Sequence, residues 1–186
     1  MDLPIYRQTR ASVTVELDEM LPSESEAVRA MLNAVILEGD SYPQSEPLPP
    51  EGFANYWLKG DAFVVRLCQE MKEGETASSD ILGAFYIKSN FPGRCSHICN
   101  AGFIVAPEAR GQGLGRLMGE AMVSLARDRG YHAIMYNLVF ETNIASLKIW
   151  QALGFHQIGR IPKAAHLPNG RYVDAIMLYK SLVEAA

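Results

Sequence analysis

Hydrophobic and polar positions along this chain switch between two periods, and the switches mark its elements. Residues 12–17 alternate, with Val13, Val15 and Leu17 on one side and Thr14 and Glu16 on the other, which predicts a strand. Val28, Met31, Leu32 and Val35 then recur at three and four and predict a helix. Pro22 and Ser23 introduce it, Ser23 and Glu26 are spaced as a capping box, and Gly39 ends it. Residues 40–51 hold Pro43, Pro47, Pro49 and Pro50 and read as a loop, followed by a shorter helix carrying Phe53, Tyr56 and Trp57. Residues 62–69 and 81–88 read as antiparallel strands around the polar turn KEGETASSD, and residues 96–105 as the next strand.

The second half repeats the alternation of strand and helix. Leu114, Leu117, Met118, Ala121, Met122, Leu125 and Ala126 form a core-facing stripe, with Arg116, Glu120, Arg127 and Asp128 on the wet face. Residues 131–140 read as a buried strand, and Asn143 opens a helix that Gly154 closes. Two last strands, near 157–161 and 172–180, flank a turn with Pro168, Asn169 and Gly170.

The most informative stretch is NAGFIVAPEARGQGLG, residues 100–115. A strand through Phe103, Ile104 and Val105 stops at Pro107, and a turn with Gly111, Gly113 and Gly115 opens the long helix. Glycines let backbone amides approach a ligand, and a helix start adds orphan donors and the positive end of the macrodipole, a combination suited to phosphate. Arg110 places a cation at the rim. A kinase-type P-loop is excluded because Gly115 is followed by Arg116 and Leu117, and the G-x-G-x-x-G dinucleotide spacing misses in both frames.

What fits is R-x-x-G-x-G, at Arg110, Gly113 and Gly115, after a strand ending V-x-P. With the later strand, Asn143 and Gly154-Phe155, this resembles the acetyl-CoA signature of the GNAT N-acetyltransferase superfamily, from about residue 62 to 182 in element order. The resemblance implies an α/β (α+β) GNAT fold in one domain over 1–186, a mixed central sheet of about seven strands flanked by about four helices. It implies acetyl-CoA as co-substrate, with backbone groups of Phe103, Ile104 and Val105 facing pantetheine. The diphosphate would lie over Arg110, Gly111, Gln112, Gly113, Leu114 and Gly115, with Asn143 and Lys148 toward the arm. Family members often dimerise.

One departure stands out. Many relatives place a Tyr acid where this chain has Trp150, whose indole N–H donates a hydrogen bond but supplies no proton at neutral pH. Tyr136, Tyr172 and Tyr179 are the alternative phenols. A narrower similarity, through Asn100 before A-G-F and Asn137 in YNLVFETN, is to the azetidine-2-carboxylate N-acetyltransferases. It implies that Asn100 and Asn137 hold the acceptor and its attacking nitrogen, with Leu138 beside them. The Pro-rich loop with Tyr42 and Glu46 is where selectivity is expected.

Composition narrows the rest. At 186 residues, 48% hydrophobic and a net charge of −4, the chain suits one globular core and no nucleic-acid partner. No apolar run spans a membrane, and MDLPIYRQTR has no signal-peptide core, so a cytosolic protein is expected. Cys95, His97 and Cys99 would share one face of a regular strand, but no fourth ligand stands near, so no metal is expected. His97, His132, His156 and His166 suggest no general base. The activity expected is direct acetyl transfer to a small amine such as an amino or imino acid or polyamine. The rivals are a non-catalytic acyl-CoA sensor, a longer acyl donor and a protein N-terminal acetyltransferase.

Overall fold

The computed structural model describes residues 1–68 and 80–183, so most of the expected KEGETASSD turn lies outside the described residues. The chain runs β1 (Ile5–Gln8), β2 (Thr14–Glu19), α1 (Ser25–Glu38), α2 (Pro50–Trp57), β3 (Asp61–Leu67), β4 (Ile81–Ser89) and β5 (Ile98–Val105). It continues α3 (Leu114–Asp128), β6 (Ala133–Phe140), α4 (Ile144–Ala152), β7 (His156–His166) and β8 (Tyr172–Ser181). The strands form one mixed sheet in the order β1-β2-β3-β4-β5-β6-β8-β7.

The additional strand, relative to the seven expected, is β1. Only Ile5 in it is even partly buried, so this edge strand carries no alternation to detect. Along β3, Phe63, Val64 and Val65 are all fully buried, because both faces of the sheet are covered. On one face Val64, Ala84, Tyr86 and Ile104 pack under Val28 and Leu32 of α1 and Phe53 and Trp57 of α2. On the other, Phe63, Val65 and Phe85 meet Met118, Met122 and Leu125 of α3.

Two local expectations are corrected. The Ser23–Glu26 capping box does not form: a 3-10 turn over Pro22–Glu24 precedes α1. Instead the Glu24 carboxylate accepts from the Leu21 amide and from Arg66 of β3, because a nearly buried guanidinium demands that counter-ion. Cys95, His97 and Cys99 do not share a strand face. Cys95 lies exposed in a 3-10 turn (Gly93–Cys95), and β5 starts only at Ile98, with Cys99 buried.

The feature that positions the site is a split in the sheet. β5 and β6 run parallel but pair only at Ile98↔Ala133 and Cys99↔Ile134. Beyond that point they diverge, and β5 keeps a strand neighbour only on its β4 side, from Gly83↔Val105 to Ser89↔Cys99. Just past the divergence β6 is bulged against β8: Tyr136 pairs Leu178 and Val139 pairs Ile176, so Asn137 and Leu138 together oppose Met177. A bulge re-aims side chains out of the regular alternation.

Candidate active site at the sheet split

The split opens onto the glycine turn. Gly111 (φ 75°) and Gly113 (φ 94°) adopt left-handed backbone that a side chain would strain, and Gly113 is the N-cap of α3. A Cβ added at Gly111 would meet nothing within 4 Å, so the outer face of the turn is open. Among the described residues, the amides of Gly111, Gly113, Leu114 and Gly115 donate to no protein acceptor, while Gln112 closes the turn over Arg110 and Gly111. That row of orphan N–H groups at a helix start is a receptor for an anion. Gln112 folds its side-chain amide back onto the Glu108 carbonyl and leaves the turn clear.

The two flanking members of the R-x-x-G-x-G motif are engaged elsewhere. Arg110 forms a two-pronged pair with Glu38 of α1 at 2.8 and 2.9 Å, and its Nε reaches the Val105 carbonyl at 3.4 Å. Gly115 faces α4, where an added Cβ would lie 3.0 Å from Ile149, and Gly119 one turn later would put one 2.7 Å from Leu153. These two glycines let α3 and α4 approach closely. The sequence pattern singled out Gly115 for a ligand and missed Gly119, whose spacing of four from Gly115 was the available signal.

Along β5, Ile104 has its side chain buried on the α1–α2 face. The Phe103 carbonyl accepts from the Tyr42 hydroxyl at 3.0 Å, so the Pro-rich loop is drawn onto the strand that borders the split. Burial of that hydroxyl holds the Tyr42 phenol well above its ordinary pKa. Glu46 in the same loop is exposed. Tyr86 lies across Gly102, its ring carbon 2.5 Å from where a Cβ would sit, which explains the glycine in N-A-G-F.

At the apex of the split three amides meet. Asn137 Nδ2 donates to Asn90 Oδ1 at 2.7 Å, Asn90 Nδ2 donates back to Asn137 Oδ1 at 3.0 Å, and Asn100 Nδ2 donates to Asn90 Oδ1 at 3.2 Å. Asn100 stands on β5 and Asn137 on the β6 bulge, so Asn90 bridges the two diverging strands. Sequence reasoning singled out Asn100 and Asn137 and passed over their hydrogen-bond partner Asn90, which sits in the turn after β4 with its own amide tied to the Ile98 carbonyl. Leu138 is 41% exposed beside the triad. Opposite Asn100 in the ladder, Lys88 donates to the Tyr56 carbonyl at 2.6 Å and lies over the Tyr56 and Tyr86 rings. Desolvation, then the charge of Lys59, lowers its pKa.

On the α3–α4 face, Phe103, Tyr136, Trp150 and Phe155 pack as an aromatic cluster, with Tyr136 and Trp150 ring centres 4.6 Å apart. The Trp150 indole N–H is spent on Ser146 Oγ at 2.7 Å. Tyr136 is 5% exposed, and its hydroxyl has no hydrogen-bond partner among the described residues. Burial raises that phenol well above its usual value, so it stays protonated. Of the other phenols, Tyr172 is 61% exposed and Tyr179 packs on His156, away from the cluster. Asn143 caps α4 by accepting from the Ser146 amide at 3.1 Å, and Lys148 is exposed. The four histidines are exposed as well.

No thiolate nucleophile is prepared at the split, since burial pushes the Cys99 thiol up to about 12. The described residues hold no group of three or more His, Cys, Asp or Glu side chains that could ligate a metal ion, and no helix long and apolar enough to cross a membrane. A surface depression of about 410 Å³, lined by residues such as Met20, Leu58 and Asp61, shares no residue with the split.

Comparison with known proteins fits this geometry. The model of the acetyltransferase (GNAT) family matches residues 32–155, which include the glycine turn, the split and α4. The chain belongs to the GNAT acetyltransferase family. N-acetyltransferase aca1 of Schizosaccharomyces pombe is 49% identical over 105 residues, covering 54% of this chain and 50% of that protein. The chain spans half or less of the length of the curated relatives it matches. Among solved structures, a GCN5-related N-acetyltransferase from Kribbella flavida superposes with a TM-score of 0.80 at 28% identity, covering 90% of this chain and 97% of that one. A phosphinothricin acetyltransferase from Sinorhizobium meliloti, in complex with AcCoA, shares the fold with a TM-score of 0.79 at 16% identity, covering 92% and 90%.

Proposed function

We propose that this chain transfers an acetyl group from acetyl-CoA directly to the nitrogen of a small amine or imino acid. The observation that carries the reading is the set of amides at Gly111, Gly113, Leu114 and Gly115, unpaired among the described residues, at the mouth of the split, a donor set fitted to a diphosphate. Bound there, acetyl-CoA supplies the activated acyl carbon and a thiolate leaving group. From Ala101 to Val105 β5 has no strand neighbour on the β6 side, which supports a pantetheine arm lying where β6 has peeled away. Holding both reactants in one cleft contributes about 7–11 kcal/mol when orientation is ideal, so positioning carries most of the catalysis.

The triad supports the acceptor role. Asn100 spends an Nδ2 proton on Asn90, and its Oδ1 is open to accept from an acceptor N–H without adding charge. The three half-buried amides, with Leu138 next to Asn137 and Lys88 opposite Asn100, suit a small polar ring or short amine better than a protein tail. This is the feature that favours the azetidine-2-carboxylate-type likeness. The Tyr136 hydroxyl, kept protonated by burial, is the chain's candidate donor to the departing sulfur, in the place left by Trp150. With Cys99 held as a thiol, attack by the amine is direct.

The test is thiol release from acetyl-CoA against a panel of amines, imino acids, polyamines and N-terminal peptides. Acceptor-dependent release with small amines is expected. Tight acetyl-CoA binding with no acceptor-dependent release across the panel would overturn transfer in favour of a sensor.

A further inference from the structure

The motif arginine is spoken for, and another arginine stands at the glycine turn. The β1–β2 hairpin reaches across the sheet edge to α3, and its tip is tightly fixed. The Thr9 amide donates to the Val13 carbonyl at 2.8 Å and the Ser12 amide to the Thr9 carbonyl at 3.0 Å. The Thr9 hydroxyl accepts from the Val13 amide at 3.2 Å, and Thr9 is itself only 9% exposed. Arg10, at this tip, donates its backbone N–H to the Gln112 carbonyl at 3.2 Å, which stitches the hairpin to the turn. Its side chain runs past Gly113, with Cγ 3.9 Å and Nε 4.0 Å from the position of an added Cβ.

We propose that Arg10 is the cation that binds the diphosphate of coenzyme A, in place of Arg110. The proposal rests on the acetyl-CoA reading of the turn and adds a residue from an element that the family model's match, residues 32–155, does not include. Three observations carry it. Nη2 of Arg110 donates to both carboxylate oxygens of Glu38 in an exposed ion pair that draws the guanidinium toward α1. Arg10 makes no ion pair with any carboxylate among the described residues, so its charge is uncommitted. Its backbone is held by a main-chain bond to the turn itself, which tethers the guanidinium within reach of the anion site.

The stitch also orients the turn. A carbonyl and the following N–H point opposite ways across a trans peptide, so holding the Gln112 carbonyl toward the hairpin directs the Gly113 amide away from it. The hairpin thus contributes a charge through its side chain and a peptide orientation through its backbone.

Titration calorimetry of CoA and dephospho-CoA tests this without turnover. Every substitution at position 10 below keeps the backbone stitch, and because the side chain is exposed, the thermal melt of each should match that of the wild type. Arg10→Gln is expected to weaken both ligands by about tenfold, the scale of one charge-assisted contact at an exposed site. Arg10→Lys should recover part of the loss, and Arg110→Gln should stay within about twofold of the wild type. Wild-type affinity in Arg10→Gln, or a larger loss in Arg110→Gln, would overturn the assignment. A loss seen with CoA and absent with dephospho-CoA would overturn it too, by moving the contact to the 3′-phosphate. A wild-type protein that binds neither ligand would instead defeat the parent reading.

Discussion

Asn90 is the sharpest place to test the amide triad. Replacing it with Ala removes three hydrogen bonds of 2.7, 3.0 and 3.2 Å at once, because all three involve its side-chain amide. At about 0.5–1.5 kcal/mol net for each bond, and with water refilling a half-buried site, the loss of stability should be about 1–3 kcal/mol. That lowers the melting temperature by several degrees in a domain of this size. The larger effect should fall on the acceptor, because Asn100 and Asn137 lose the group that fixes which way their amides face. Misplacement of a positioning contact costs on the order of 10- to 100-fold in kcat/KM for the amine. Acetyl-CoA affinity should be unchanged, since Asn90 lies at the apex of the split and the glycine turn at its mouth. Asn90→Asp separates orientation from packing. It still accepts from Asn100 and Asn137, but it sets a carboxylate oxygen against Asn137 Oδ1, a repulsion that both orientations of that amide meet, so the reciprocal pair opens. Steady-state kinetics with the amine varied, alongside calorimetry with acetyl-CoA, read the two effects separately. Unchanged acceptor kinetics in Asn90→Ala, or an equal loss of acetyl-CoA affinity, would refute the reasoning.

Four further outcomes follow from the packing and the charges. Gly113→Glu puts a side chain on left-handed backbone and a carboxylate at the anion site; calorimetry should find CoA binding abolished in a protein that still melts cooperatively. Tyr136→Phe deletes a buried hydroxyl that has no partner among the described residues, so stability by chemical denaturation should hold or rise by about 1 kcal/mol while acetyl transfer falls; unchanged transfer would remove Tyr136 from the reaction. Gly119→Leu should destabilise by about 1–3 kcal/mol, because Trp150 of α4 and Leu153 at its C-terminal cap must move away from α3, and urea unfolding reads this directly. For thiol labelling at mildly alkaline pH, the raised Cys99 value means that the group remains a thiol; mass spectrometry should find Cys95 alkylated and Cys99 spared until denaturant is added.

Much of the fold could be read from period alone. The stripe from Leu114 to Ala126 is buried as its spacing demands, with Leu117 at its margin, and Gly39 ends α1 in the left-handed conformation. The glycine turn was readable because it strings together residues whose only shared virtue is backbone freedom. What escaped was set by contacts distant in sequence. Nothing local marks Asn90 as the partner of Asn137, 47 residues away. Arg10 lies at the tip after a strand with no alternation, and its relation to Gln112 exists only once the hairpin has folded against α3. The bulge at Asn137 and Leu138 depends on β8, which follows much later in the chain. Arg110 shows the converse: a motif residue whose guanidinium is drawn toward Glu38, 72 positions earlier.

The short seam between β5 and β6 has a mechanical consequence. Only Ile98↔Ala133 and Cys99↔Ile134 join the five-strand block β1–β5 to the three-strand block β6, β8 and β7 within the sheet. A molecule inserted above that seam replaces missing ladder bonds and ties the blocks together. Amide hydrogen exchange should therefore slow in strands on both sides when the cleft is filled, including β8, which lies beyond β6 from the cleft.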